Sequence, residues 1–284
     1  MELNLFADIN KELLTSIESL SNQGVHNFSY GILDSYFDVE KLVEKGKVEL
    51  AENVLILSKL PGRSRKKVFV YLNASQQKLK RLQQEAVIYS ISPLNLPKQN
   101  KFKELRYNLS KVFDPMSYSN AKKRYNRIKY PFVWLEKNNL FVEPLQRDKY
   151  NDYKELHDKW CEKKLEDPKT FKIMFPGKRY LRCVEKAIDN KDLYYALAFY
   201  LEDELVAIRV DSIEENYAFD LAFFGKFWEV PSQCMNYLNV YYMKAILDKG
   251  VEYLNCGAFL NKNLHTFKAH YPNDVVISYA YSKL

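Results

Sequence analysis

Asp220 lies in the apolar run Tyr217-Ala-Phe-Asp-Leu-Ala-Phe-Phe224, where strand alternation puts it on one face with Ala218 and Ala222. A carboxylate with so few polar neighbours has its pKa raised and suits a general base. Arg209, on the preceding apolar run, offers the competing reading, a buried ion pair. Further along, Asn255-Cys-Gly-Ala-Phe-Leu-Asn-Lys-Asn-Leu-His-Thr-Phe-Lys-Ala-His-Tyr271 gathers an amide, a thiol, an amine and a phenol. Asn255 could orient a substrate or cap the next turn, and Tyr271 could protonate a leaving group or simply pack. His265 and His270, five apart, do not suit a metal pair on one helix face, and Cys256 has no partner base and reads as a packed thiol.

A second chemistry-bearing segment is Lys122-Lys-Arg-Tyr-Asn-Arg-Ile-Lys-Tyr130. It interleaves Lys122, Lys123, Arg124 and Arg127 with tyrosines, and Lys178-Arg179 adds charge at a helix start. Cations neutralise phosphates while rings stack on bases, so this pattern fits a nucleic acid or a phosphorylated substrate; a solvated basic face is the alternative.

The elements that must position these groups follow from periodicity. Helices are expected over residues 9–21 and 38–45, then strands over 54–57 and 68–72, a helix capped by Ser75, and a strand over 86–90, which is a β-α-β signature. Residues 93–118, with three prolines, read as a linker, and Pro131–Leu135 and Leu140–Pro144 as a strand pair. Helices from 148 and 178 precede a three-strand meander over 193–224. Ser232 is placed to cap the next helix, which Gly250 ends before a strand over 251–255. These short joints predict a parallel crossover with 217–224 and 251–255 in one sheet. The domain boundary is set at 114/115, giving a smaller amino-terminal α/β unit over 1–114 and a second domain over 115–284.

Composition bounds the classes. The 284 residues carry 43 Lys+Arg against 36 Asp+Glu, a net +7 that favours an anionic partner or is merely a soluble surface. Eight glycines, without a Gly-x-Gly-x-x-Gly or Walker pattern, argue against a phosphate loop. Cys161, Cys183, Cys234 and Cys256 form no Cys-x-x-Cys pair, and His157 one turn before Cys161 is a weak metal signal, so no metal is expected. Without a secretory leader or a long apolar run, the expectation is a cytoplasmic protein with no membrane span.

From Leu140 to Leu284 the order of elements, and Gly257 followed by Leu264-His-Thr-Phe-Lys268, resembles the GNAT superfamily of acyltransferases, in its Fem-type and lysyltransferase-like branches. The resemblance implies an α/β (α+β) fold with a mixed sheet flanked by helices, the amino-terminal unit being a candidate degenerate second GNAT-like domain. It also implies a forked parallel strand pair that admits an activated acyl donor. On that pattern Asp220, Lys268 and Tyr271 are the catalytic candidates, with Lys268 stabilising negative charge or binding a phosphate. Phe223, Phe224, Gly225, Ser232 and Asn255 are the donor-binding candidates, the oxyanion being met by a backbone N–H near the end of the strand. Phe224-Gly-Lys-Phe-Trp-Glu-Val-Pro-Ser232 holds one glycine where acetyl-CoA users have several, so the donor is left open between acetyl-CoA and another activated donor such as aminoacyl-tRNA. The resulting expectation is an acyl- or aminoacyltransferase acting on an amine of an anionic or polymeric acceptor. The rivals are a GNAT-fold enzyme modifying a base in DNA or RNA, and a GNAT-like module that only binds.

Overall fold

The computed structural model describes residues 48–51, 54–57, 66–70, 75–90, 93–166, 179–192, 194–214, 216–258 and 271–284. The helices expected over 9–21 and 38–45, and the Leu264–Lys268 segment, lie outside these residues. The chain divides into two compact units: Met1–Arg106 with Asn255–Phe259 and Asp274–Leu284, and Tyr107–Leu254 with Leu260–Asn273.

In the first unit β1 (Val48–Ala51), β2 (Val54–Leu57) and β3 (Lys66–Val70) pair antiparallel in sequence order. Helix α1 (Gln76–Gln83) then carries the chain to β4 (Ala86–Ser90), which pairs parallel with β3, so the expected β-α-β unit is present. Ser75 caps α1, its side chain accepting from Lys78 N–H at 3.3 Å. Leu79 of α1 packs with Ile88 of β4, Leu96 and Tyr281 in a small core. The final strand β11 (Asn273–Tyr281) pairs antiparallel with β4.

The expected linker is overturned: residues 99–108 form β5 (Gln99–Asn108) and residues 109–113 form helix α2 (Leu109–Phe113). Pro93, Pro97 and Pro115 all lie outside the strand, so they bound the element without breaking it. Its apolar signal is concentrated in the second half, where Leu105 and Tyr107 are buried while Lys101 and Lys103 stay in water.

The second unit is built on the meander β6 (Leu140–Pro144), β7 (Tyr194–Leu201), β8 (Glu204–Glu214) and β9 (Tyr217–Gly225), antiparallel throughout. Helices α5 (Tyr150–Leu165) and α6 (Arg179–Asp189) cover one face and α7 (Cys234–Leu247) the other. Adjacent residues at the end of β9 show this division. Phe224 meets His157 and Trp160 of α5 at 5.5 and 5.9 Å, whereas Phe223 points the other way, toward Arg209 under α7. Gly250, at φ +91°, ends the turn after α7, and β10 (Tyr253–Ala258) begins beside β9: Glu252 and Tyr253 N–H both donate to Asn216 O, at 2.8 and 3.0 Å.

Two local expectations are corrected here. Residues 131–135 are not a strand but part of α4 (Tyr130–Lys137), because Phe132 and Trp134, strand formers in isolation, pack onto α7 as a helix. Ser232 does not cap α7: Gln233 is the cap residue, no side chain bonds the first turn, and the Ser232 hydroxyl donates to Gln233 Oε1 at 3.2 Å. The Pro231 carbonyl accepts from Cys234 N–H at 2.8 Å and does part of what a capping side chain would do.

Candidate functional site

The basic segment forms a helix of unusual winding. Asn120 caps its start, accepting from Lys123 N–H at 2.8 Å, and α3 (Ala121–Arg124) leads into a π-turn over Tyr125–Lys129 before α4. Tyr130 N–H donates to Tyr125 O, a bond one residue longer than the α-helical one. The cause is Pro131, which has no N–H to give Arg127 O and whose ring crowds that carbonyl in a regular α-helix. Rings then fasten α4 to α7: Tyr130 and Trp134 lie 5.8 and 5.4 Å from Tyr237, and Phe132 lies 6.2 Å from Tyr241.

Between this helix and the start of α7 lies a pocket of about 360 Å³. Lys123, Asn126, Arg127 and Pro131 line one side; Gln233, Asn236 and Tyr237 line the other, with Tyr271 completing it. Two cations and the uncapped first turn of a 14-residue helix make the pocket attractive to an anion. Tyr271 is 5 % exposed and sets its ring edge against Tyr107 at 5.9 Å. Burial and the neighbouring Tyr118 raise its pKa, with Arg127 pulling the other way, so the phenol keeps its proton through the physiological range.

The structure thus brings Tyr271 together with Lys123 and Arg127. Lys122 and Arg124 sit on the same segment, exposed, and do not line the pocket. Lys178 and Lys268 lie outside the described residues, and Arg179 opens α6. Ser232 is exposed one residue before Gln233. Gly225 sits where an added Cβ would stand 2.4 Å from Val206 O, which accounts for a glycine there on packing grounds alone. Asn255, in the first unit, is fully buried; it donates to Glu104 Oε2 at 2.9 Å and accepts from Gly257 N–H at 2.8 Å. Gly257 takes φ +71°, a conformation that favours glycine.

Asp220 is on β9 directly across from Asp211 of β8 and does not line the pocket. The guanidinium of Arg209 is held by Asp211 through Nε and Nη2, at 3.0 and 3.1 Å. The same group donates through Nη1 to Asn239 of α7 and lies 4.4 Å over the Tyr242 ring, whose hydroxyl donates to Tyr195 O at 2.9 Å. The carboxylate that burial pushes up is Asp211, with Arg209 opposing the shift and Asp220 adding to it. The i, i+2 spacing of Arg209 and Asp211 puts both on one face of a strand, a signal present in the sequence; Asn239 and Tyr242 come from a helix that only folding brings there.

Tyr237, Asn236, Gln233 and Asn126 complete the pocket without having stood out in the sequence, since nothing local marks a polar helix residue as facing a cavity. His157 Nε2 lies 3.5 Å from Cys161 Sγ, but burial pushes that thiol up to about 11, which favours the protonated, weakly nucleophilic form. Among the described residues no group of His, Cys, Asp and Glu is arranged to hold a metal ion, and no helix is long and apolar enough to cross a membrane.

Helices on both faces of a mixed sheet, closed by a β-α-β crossover that carries the pocket at its helix start, define a GNAT-like fold. No protein-family model matches the sequence, and no curated protein matches it. Among solved structures, a conserved protein of unknown function from Bacteroides thetaiotaomicron is similar at 10 % identity, over 82 % of this chain and 84 % of its own, with a TM-score of 0.60. L-PGS from Bacillus licheniformis matches at 16 % identity over 88 % and 90 %, TM-score 0.53. The C-terminal domain of a putative lysylphosphatidylglycerol synthetase from Agrobacterium fabrum matches at 15 % over 84 % and 85 %, TM-score 0.51. The chain therefore has a GNAT-like fold, shared with L-PGS and with the lysylphosphatidylglycerol synthetase C-terminal domain. The likeness spans more than four-fifths of the chain, where the sequence motif reached only the carboxy-terminal half.

Proposed function

We propose that the protein is an acyl- or aminoacyltransferase that moves an acyl group from an activated donor to an amine of an anionic or polymeric acceptor. The observation that carries this reading is the meeting of Lys123, Arg127 and a proton-bearing Tyr271 at the start of α7, in a fold similar to L-PGS. Lys123 and Arg127 bind a phosphate of the donor or acceptor, fixing the carbonyl nearby. The amine attacks that carbonyl, the bond to the leaving oxygen or sulfur breaks, and Tyr271 gives the leaving atom its proton. The nitrogen, positively charged once it has added to the carbonyl, gives its surplus proton to the tyrosinate and restores the phenol, so no net proton is gained or lost. The single glycine between Phe224 and Ser232 leaves both acetyl-CoA and aminoacyl-tRNA as donors, and Asp220, away from the pocket, has no step in this scheme.

The test is a transfer assay with labelled acetyl-CoA and with labelled aminoacyl-tRNA, each offered to a panel of amine-bearing acceptors. Transfer that disappears in Lys123→Ala/Arg127→Ala and drops at least about a hundredfold in Tyr271→Phe supports the reading. Transfer by neither donor, or undiminished transfer by the double variant, refutes it.

Tyr125 and Tyr130, 43 % and 38 % exposed among Lys122, Lys123 and Arg124, favour a second reading: a nucleic acid held along this helix and modified on a base. Label recovered on DNA or RNA in the same assay selects it.

A further inference from the structure

From Pro115 to Leu135 the chain holds five cations, Lys122, Lys123, Arg124, Arg127 and Lys129, and no acidic residue. Cys234 to Met243 of α7, the stretch against which this helix packs, carries no charge of either sign. None of the ion pairs among the described residues uses Lys122, Lys123, Arg124 or Lys129. Their field is therefore left for a partner outside the chain. Between these cations an apolar ridge stands in water: Tyr125 is 43 % exposed, Tyr130 38 % and Val133 44 %. The rings of Tyr125 and Tyr130 lie 6.1 Å apart, and Val133 follows Tyr130 by three helical positions, so the three share one side of the helix. Lys129, four positions before Val133, borders the ridge.

We infer that this face docks on an anionic lipid surface, with Tyr125, Tyr130 and Val133 at the headgroup boundary and Lys129 among the lipid phosphates, while Lys122 and Arg124 add long-range attraction. Charge complementarity selects a polyanion, and the ridge selects which one. Aromatic and aliphatic side chains flanked by Lys and Arg are what a helix lying in the interface needs, the phenol hydroxyls staying wet while the rings are covered. A nucleic acid would use the rings as stacking platforms. Tyr130, however, is already set at 81° against Tyr237 and tilted 45° to Tyr125, and Val133 has no ring to offer. The inference stands apart from the transferase reading, because Lys123, Arg127 and Tyr271 are left untouched in its test.

The experiment sediments the full chain with phosphatidylcholine vesicles, with and without about 30 % phosphatidylserine, at low salt. Binding is expected to the anionic vesicles alone. Lys129→Gln should weaken it about fivefold and Lys129→Arg should restore it. Tyr125→Ser/Val133→Ser, which changes no charge, should weaken it about tenfold, since it removes apolar area that the lipid would cover. All three sites are exposed, and thermal midpoints equal to that of the wild type show that each variant folds. No binding to anionic vesicles, or binding that Tyr125→Ser/Val133→Ser leaves intact, overturns the inference. The same double variant is titrated with DNA and RNA oligonucleotides; a larger loss there than on vesicles also overturns it and assigns the face to nucleic acid.

Discussion

Arg209 and Asp211, two residues apart on β8 and both removed from water, are joined by two nearly equal hydrogen bonds of 3.0 and 3.1 Å beneath α7. Because Arg209 also reaches Asn239, this pair ties the meander to the helix whose first turn forms the pocket. Asp211→Ala leaves a guanidinium buried without its carboxylate and should cost about 3–5 kcal/mol, whereas Arg209→Met/Asp211→Leu, removing both charges, should cost much less. Urea denaturation of the three proteins decides: a single-variant loss no larger than that of the double would refute the buried-pair account.

Gly225 closes β9 against the backbone of Val206. Gly225→Ala puts a methyl group 2.4 Å from a carbonyl oxygen and 2.8 Å from Ala207 Cβ, neither of which is a flexible chain end. A loss of about 1–3 kcal/mol is expected, seen as a lower thermal midpoint; an unchanged midpoint would mean that the strand end yields freely.

Asn255→Ala removes the hydrogen bonds to Glu104 and from Gly257 inside the first unit. Each buried polar group so affected costs about 1–3 kcal/mol. Were Asn255 to serve substrate alone, the variant would keep wild-type stability in a denaturant melt while its turnover fell.

Burial raises the thiols of Cys161 and Cys234 to about 11 each. The neutral form is therefore the one the fold favours. Below the unfolded thiol pKa of ~8.5 its contribution to stability is complete; as pH climbs toward 11 the unfolded chain ionises first and the contribution is lost. Stability is expected to decline from about pH 8.5 upward, and iodoacetamide labelling of native Cys161, which is partly accessible, to stay slow at pH 8 and to rise about tenfold per pH unit. Fast labelling at pH 8 would contradict the shielded thiol.

Lys123 and Arg127 line the pocket while Lys122 and Arg124 face water one residue away. Charge reversal at the first pair should abolish anion binding at any salt concentration. At the second pair it should slow only the encounter with a polyanion, an effect that vanishes at about 0.5 M salt. Equal sensitivity of both pairs would show that net charge, not the pocket, governs binding.

The β-α-β unit, the meander and the helix that Gly250 ends were legible because their apolar residues alternate or recur at helical spacing and their ends carry a serine cap or a glycine. Residues 99–108 and 131–135 were misread for one shared reason. In β5 the exposed lysines and flanking prolines masked the buried half of the strand, and in α4 two strand-forming side chains, Phe132 and Trp134, are held helical by contacts with Tyr241 and Tyr237 from more than a hundred positions later. Local preference is worth a few tenths of a kcal/mol per residue, and burial against a distant helix outweighs it.

By itself the sequence determined which side chains were available: a basic, tyrosine-laced segment, a phenol at 271, a carboxylate on an apolar strand, and an order of elements that admits the GNAT-like fold. The tertiary structure decided which of them meet. It placed Lys123, Arg127 and Tyr271 around one cavity, left Lys122 and Arg124 in water, and gave Arg209 to Asp211 while Asp220 faces that carboxylate across the sheet. The physical reason is that a side chain's role depends on direction and distance, which one residue's shift in strand register changes without altering a single neighbour in the chain.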